Sequence, residues 1–531
     1  MTLEEKTRMT EKRLSVEKGK QGILKVIFGR TTILVVLLLV QLLVLFGLFS
    51  VLAEYINVIY IYVIYQIFMA FLVLYIVNQT VNPAFKLAWI LPVFIFPVFG
   101  ALFYVFVKIQ PISSILNKRL LKLEEETRKY VQQDELVMER LNQEHPHAAG
   151  TASYLLRKEW YPVYENTAVK YLPLGEDKFE ELKIQLRKAK HFIFLEYFII
   201  EEGEMWNTVL DILKEKVQEG VEVRLMYDGT NTLSKLPPSY PRQMKEFGIQ
   251  CKVFAPIRPF LSTSQNNRDH RKILVIDGVT AFTGGINLAD EYINKKVRFG
   301  HWKDTSIMLQ GDAVKSFTLM FLRMWDIDSK GDDYSRYLEV PRFMPAYQAP
   351  GFVAPYADSP LDNEQVGEQV YLNLLYTAKE YVHIMTPYLI LDQEMTVALQ
   401  FAAKRGVDVK IIMPHIPDKW YAFALAKTYY PELIKAGVKI FEYTPGFVHA
   451  KSFVVDDEQA VVGTINLDFR SLYLHFECAA FLCQVPCIRD AEEDFQSTLK
   501  KCQKITMEDV RKGNLAMKAA GRLLRLVAPL M

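Results

Sequence analysis

Hydrophobic residues follow three different rhythms along this chain, each in its own stretch. Residues 32–53, 58–77 and 87–107 are nearly continuous apolar runs, each about the 20 residues a helix needs to cross a bilayer. The first run is longer than the apolar core of a signal peptide and continues into Glu54 and a second run, so it reads as a retained anchor. Eight Lys or Arg residues lie in residues 1–30, and Lys108, Lys118, Arg119 and Lys122 follow the third run. Basic flanks on both sides favour the cytoplasm and demand an even number of crossings. The third run, broken by Pro92, Pro97 and Gly100, is the candidate for an interfacial or re-entrant segment.

The second rhythm covers residues 117–141, where Leu120, Leu123, Val137 and Leu141 recur among charged residues. It predicts a linking helix at the membrane surface, with a break over residues 142–150 around Pro146. The third rhythm alternates strand and helix, and does so twice. Val221, Val223 and Leu225 after Gly220 are echoed by Val407, Val409 and Ile411 after Gly406, and third strands are entered at Gly248 and Gly437. Strand, helix, strand, helix, strand in both copies predicts two α/β lobes of like fold packed as an internal pseudo-dimer. The expected division is a polar flank (1–30), a membrane anchor (31–110), a linker helix (111–150) and lobes over 151–345 and 346–531, joined through residues 340–360. Residues 256–267 read as a loop at the active-site mouth, and residues 511–531, basic and apolar, as a helix closing the second lobe or a membrane-surface contact, the first being favoured.

Composition sharpens this picture in three ways. Half of the residues are hydrophobic and mean hydropathy is +0.06, high for a soluble enzyme of this length and accounted for by a membrane-embedded part. A net charge of +2 lacks the broad basic footprint of a nucleic-acid binder, so no nucleic-acid partner is expected. Five cysteines fit a reducing compartment, and Cys478, within an apolar run, reads as a small buried hydrophobe rather than a metal ligand.

The candidate chemistry is doubled as well. His270, Lys272, Asp277, Gly284 and Asn287 recur as His449, Lys451, Asp456, Gly463 and Asn466 with every gap preserved. On a strand of period two, each histidine shares a face with its lysine. Two imidazoles, two ammoniums and two amides meeting at a pseudo-twofold axis make a site for a phosphodiester: one imidazole attacks phosphorus, the other protonates the departing alkoxide, and the lysines neutralise the oxygens. Such chemistry calls for no metal and no cofactor. An imidazole nucleophile needs a carboxylate on its other nitrogen, and each motif has one downstream, Asp304 after His270 and Glu477 after His449. Asp304 is therefore expected to orient His270. Of the six motif residues counted as the catalytic set (His270, Lys272, Asp277, His449, Lys451, Asp456), the two aspartates are expected to anchor turns.

The doubled motif resembles the phospholipase D superfamily. Trp89, Pro92 and Pro97–Ala101 in the apolar region, Asp269, Thr283–Asn287, Trp302–Asp304, Thr386–Tyr388 and Asn466–Ser471 resemble, more particularly, the bacterial cardiolipin synthases. Three apolar stretches stand where that family has two. The resemblance implies two phospholipase D-like α/β lobes behind a transmembrane helical region, in a multi-pass protein of the bacterial cell membrane. It implies transfer of a phosphatidyl group between two phosphatidylglycerol molecules, with His270 as nucleophile and His449 as general acid and then base. The residues themselves do not choose between the two imidazoles. A hydrolytic phospholipase D or a phosphatidylserine synthase differs only in its acceptor, and a non-catalytic membrane scaffold or nucleic-acid binder is disfavoured because both motifs are complete.

Overall fold

A computed structural model describes residues 58–96, 100–101, 103–105, 111–256, 266–329, 331–338, 348–362 and 364–530, with isolated positions 39, 43 and 47. The rest of the first apolar run and most of the loop at 256–267 lie outside them. The chain divides into two compact units: Met1–Pro111 with Ile257–Asn266 and Leu530, and the remainder.

In the first unit, α1 (Val58–Val77) and α2 (Pro83–Ile95) form a hairpin around Met69, Leu72, Ile76, Trp89 and Val93. Helix α2 starts cleanly because Asn82 accepts a hydrogen bond from the Ala84 N–H at 3.0 Å, while Pro83 takes the first turn, where no N–H is required. It ends at Phe96, whose φ of −126° and ψ of 74° leave the helical region. Beyond the break the chain doubles back: the rings of Trp89 and Tyr104 lie 5.4 Å apart, whereas fifteen residues of straight helix would separate them by about 22 Å. Gly100 permits the return, since a Cβ there would stand 2.4 Å from the Pro92 carbonyl oxygen. The third apolar run is therefore not one continuous span. No helix among the described residues is long and apolar enough to cross a membrane; α1 has described side chains only over residues 63–77. Ile64, Phe68, Phe71 and Leu74 on α1 are exposed.

The second unit opens with three short helices where one linker was expected. α3 (Pro111–Thr127), α4 (Glu135–Glu144) and α5 (Pro146–Glu159) are separated by a 3-10 turn at Arg128–Tyr130 and by His145. Pro146 begins a helix, as a proline at its first position can, and Gly150 lies inside that helix.

The two lobes follow. The first contains β1 (Thr167–Leu172), β2 (Phe192–Tyr197), β3 (Glu222–Asp228), β4 (Gln250–Phe254), β5 (Lys272–Ile276), β6 (Thr280–Gly284), β7 (His301–Lys303) and β8 (Ser306–Gly311). The second contains β9 (Phe352–Asp358), β10 (Tyr381–Met385), β11 (Asp408–Pro414), β12 (Lys439–Tyr443), β13 (Gly446–Val448), β14 (Ser452–Val455), β15 (Gln459–Gly463), β16 (Glu477–Cys483) and β17 (Cys502–Ile505). The sheet orders are β1-β8-β6-β5-β2-β3-β4 and β9-β16-β15-β14-β10-β11-β12-β17, the same path twice with one strand added. In each, three strands run parallel and the strand that follows the motif histidine joins them antiparallel. The segment read as a join contributes β9, an edge strand that tolerates Pro355, so the connection between lobes is shorter than 340–360.

Each lobe lends a late helix to the other. Val314–Trp325, buried along its whole length, packs on β2 and β5 of its own lobe and on β9 of the second. Cys487–Leu499 packs on β10 and β14 of its own lobe and on β1 of the first. From that helix Asp494 meets Lys303 Nζ at 2.7 Å and the Tyr171 hydroxyl at 2.8 Å across the lobe boundary. The C-terminal helix Leu515–Arg525 closes against Trp420–Ala426 at Gly521, where a Cβ would stand 2.3 Å from the Ala424 carbonyl oxygen.

The Lys303–Asp494 pair generates a test. Asp494→Ala leaves a buried ammonium without its carboxylate and should cost about 3–5 kcal/mol in denaturant unfolding, whereas the apolar pair Lys303→Met with Asp494→Leu should recover most of the loss.

Candidate functional site

The two histidines enter the site just before β5 and just before β14, where each lobe borrows backbone from the other. Ahead of His449, β13 pairs in parallel with β7, and the His449 N–H donates to the Lys303 carbonyl at 2.7 Å. Ahead of His270, Asp269 bridges to Phe476, and the His270 N–H donates to the Phe476 carbonyl at 2.9 Å. Each histidine is thus pinned one residue from the carboxylate that follows the other lobe's motif.

The side chains follow the backbone. His270 Nδ1 lies 2.9 Å from both oxygens of Glu477, and His449 Nδ1 lies 2.6 Å from Asp304 Oδ2. The expectation that Asp304 orients His270 is corrected: similar distances along the chain matched each histidine with its own lobe's carboxylate, whereas cross-lobe pairing exchanges them. With Nδ1–H donated to a carboxylate, Nε2 of each ring is the nitrogen left for chemistry. The carboxylates are seated differently. Gly285 makes room for Asp304, since a Cβ there would stand 2.0 Å from Oδ1, and the Thr305 N–H donates to that oxygen at 2.8 Å. At the equivalent position Thr464 instead donates its hydroxyl to Glu477.

The lysines share the same buried space. Lys272 Nζ donates to the His270 carbonyl at 2.5 Å; Lys451 Nζ donates to the His449 carbonyl and stands 2.8 Å from His449 Nδ1. Lys272 and Lys451 each interact electrostatically with both Asp304 and Glu477, so charges from the two lobes act on one volume. Burial lowers the ammoniums of Lys272 and Lys451 to about 8 and about 7, against the pull of those carboxylates. Burial also lowers the imidazoles, His270 to about 3 and His449 to about 4, so both are neutral near pH 7. Burial by itself would raise the two carboxylates, but the neighbouring cation and imidazole hold Asp304 below its ordinary value, and His270 holds Glu477 well below its own.

The remaining motif residues sit elsewhere. Asp277 and Asp456 lie about 16 Å along the strand from the lysines, outside the site. Each has a φ of 54° and accepts three backbone N–H groups at 2.7–2.9 Å, from Lys190, His191 and Phe192 or from Lys379, Glu380 and Tyr381. They fix the entry to β2 and β10. The two amides are held by local hydrogen bonds. Asn287 accepts from the Ile199 N–H and donates to the Tyr292 hydroxyl, whose ring lies against His449, while Asn466 donates to Ser471.

Two buried side chains escape the sequence reading. Lys178, on the helix Gly175–Lys188, donates to the Ile286 carbonyl at 2.9 Å and is electrostatically coupled to Asp304 and Lys272, a third ammonium, which burial lowers to about 7. Its place on the buried stripe with Leu182 and Leu186 is the signal that could have found it. His475, two residues before Glu477, has its ring centroid 5.6 Å from that of His270. Trp302, at the same offset before Asp304, lies 5.3 Å from His449. Among the described residues, His270, His475 and Glu477 form the one cluster with metal-ligand spacing, their ligand atoms within 4.8 Å of one another. The buried ammonium of Lys272 beside them suits an anion better than a divalent cation.

Two measurements check this geometry. In double-mutant cycles of unfolding, His270→Gln with Glu477→Gln and His449→Gln with Asp304→Asn should deviate from additivity by about 1–3 kcal/mol, and the same-lobe pairs by no more than about 0.5. Because the folded imidazoles titrate near 3 and 4 and unfolded ones near 6.5, the unfolded chain binds more protons in between. Stability should therefore fall as pH drops from about 6.5 toward 4, by up to about 1.4 kcal/mol per unit for each histidine, and the double variant His270→Gln, His449→Gln should flatten the slope.

The family model described as cardiolipin synthase, PLD-like domain, matches residues 182–325 and 371–499, and the model described as phospholipase D-nuclease N-terminal matches residues 58–108. A cardiolipin synthase of Halalkalibacterium halodurans is 34% identical over 462 residues, covering 87% of this chain and 91% of that protein. An uncharacterised protein of Streptococcus mutans is 53% identical over 459 residues, 86% of this chain and 99% of that one. Phosphatidylserine synthase of Haemophilus influenzae, at 13% identity and a TM-score of 0.54 over 68% of this chain and 95% of that one, shares the fold. With both halves of the site on one duplicated scaffold and these relatives spanning most of its length, the chain belongs to the cardiolipin synthase family of phospholipase D-like proteins.

Proposed function

We propose that this protein joins two phosphatidylglycerol molecules into cardiolipin and glycerol through a phosphatidyl group carried on His270. The observation that supports it best is the pair of neutral, carboxylate-held imidazoles sharing one buried volume with Lys272 and Lys451. In the first step His270 Nε2 attacks phosphorus, the P–N bond forms and the bond to the glycerol oxygen breaks. His449, protonated next to the incoming phosphate anion and steadied by Asp304, gives its proton to that oxygen. In the second step the terminal hydroxyl of another phosphatidylglycerol returns a proton to His449 and attacks phosphorus, releasing His270. The ammoniums offset the charge on the non-bridging oxygens in both transition states.

The lipid substrate gives a use to the apolar first unit. Exposed Ile64, Phe68, Phe71 and Leu74 present a surface suited to acyl chains, and the doubled-back third run suits a segment that enters the bilayer and returns. We place the enzyme on the bacterial cell membrane, with its basic flanks and catalytic lobes on the cytoplasmic side.

The test supplies phosphatidylglycerol alone, in detergent micelles, to the purified full chain. Cardiolipin and glycerol should appear in equal amounts; phosphatidic acid instead of cardiolipin, or serine incorporation when serine is added, would assign a different acceptor. His270→Ala and His449→Ala should each lose at least about 10³-fold in turnover, and Asp304→Asn or Glu477→Gln about 10–100-fold while remaining folded.

A further inference from the structure

His475 has no role in the mechanism above, yet it is one of the more costly side chains in the site. It is 9% exposed, and neither ring nitrogen has a hydrogen-bond partner. The nearest carboxylate oxygen, Glu477 Oε1, is 3.8 Å from Nδ1, beyond hydrogen-bond reach. Burying an imidazole unpaired is unfavourable unless something absent from the protein alone completes it. Its ring is tilted 39° to that of His270, with 5.6 Å between centroids. The pseudo-twofold repeats the arrangement: Trp302, two residues before Asp304, lies 5.3 Å from His449, and its buried Nε1–H also has no partner. At each end of the site, then, an unsatisfied ring N–H lies next to a candidate catalytic imidazole, and Lys272 and Lys451 give the volume between an affinity for anions.

We infer that His475 is a further catalytic residue, donating a hydrogen bond to a non-bridging oxygen of the phosphoryl group while that group is bonded to His270. The proposal rests on the reading of His270 as the phosphorus carrier. Oxygens on a phosphorus attached to Nε2 fan out around the imidazole, and a ring whose centroid lies 5.6 Å from that of His270 is near enough to reach one. The donor is preorganised, because the backbone of Phe476 is held by the Arg268 carbonyl at 2.8 Å and by the His270 N–H. Trp302 can donate in the same way at the other end but, unlike imidazole, cannot accept, so the two ends of a nearly symmetric site treat their oxygens differently.

The test compares His475→Leu, which removes the donor, with His475→Gln, which restores one. Turnover of phosphatidylglycerol should fall about 10²-fold in the Leu variant and stay within about threefold of the parent in the Gln variant, with KM little changed in both. Acid-quenched phosphohistidine should decrease in the Leu variant. Tungstate, a phosphoryl mimic, is titrated without lipid and should bind about tenfold more weakly to the Leu variant alone. Thermal unfolding establishes that the variants are folded; if Leu is not tolerated, His475→Phe keeps the ring volume and takes its place. A folded donor-less variant with unchanged turnover and tungstate affinity overturns the proposal, as does a Gln variant no better than Leu. If the parent binds tungstate through His475 but forms no cardiolipin, the proposed function fails and the anion contact stands. If the parent forms cardiolipin and His475 is indifferent, the reverse holds.

Discussion

A short parallel pairing between the lobes, Gly446–Val448 against His301–Lys303, together with its single-bridge counterpart at Asp269 and Phe476, is the constraint on which the rest of the site depends. These backbone contacts carry each histidine past the boundary of its own lobe. They place Asp304 under His449 and Glu477 under His270 with no long side chain having to reach. The borrowed helices and the buried Lys303–Asp494 contact hold the same boundary shut around the site. Fold and site are stabilised by one interface, so the catalytic geometry is as rigid as the packing between lobes.

Within that frame the halves have diverged. Asp304 is short and needs the space that Gly285 leaves; Glu477 is longer and is steadied by the Thr464 hydroxyl. Arg271, beside His270, pairs with Glu196 and Asp269 in the core, while the corresponding neighbour of His449 is Ala450. An imidazole stands where the other half has an indole. Two identical halves would have no means of telling a leaving group from a nucleophile, and these differences are where such a distinction can reside.

The doubled motif makes the lobe repeat legible in the sequence itself, because period-two spacing and preserved gaps are local properties. The same local signal points Asp277 and Asp456 to turns. What it cannot carry is the partner of each carboxylate. Residues 270 and 304 are near in sequence, and only the pairing of strands from different lobes separates them in favour of 270 with 477. Lys178 lies some ninety residues before the first motif in a helix full of charges, and its burial arises from a tertiary contact with the Ile286 carbonyl. The linker departs from its expected form for a physical reason too: Pro146 looks like a breaker, but at the first turn of a helix it is an initiator.

The crossed carboxylates also bear on the life of the chain during synthesis. The first lobe emerges from the ribosome carrying His270 and Lys272 without Glu477, which is made about two hundred residues later, so its imidazole has nothing to fix its tautomer. A chain that ends before the second lobe also lacks His449, so on the proposed mechanism it holds one imidazole of the pair and cannot turn over. On that mechanism turnover begins only when the second lobe has been made and has docked.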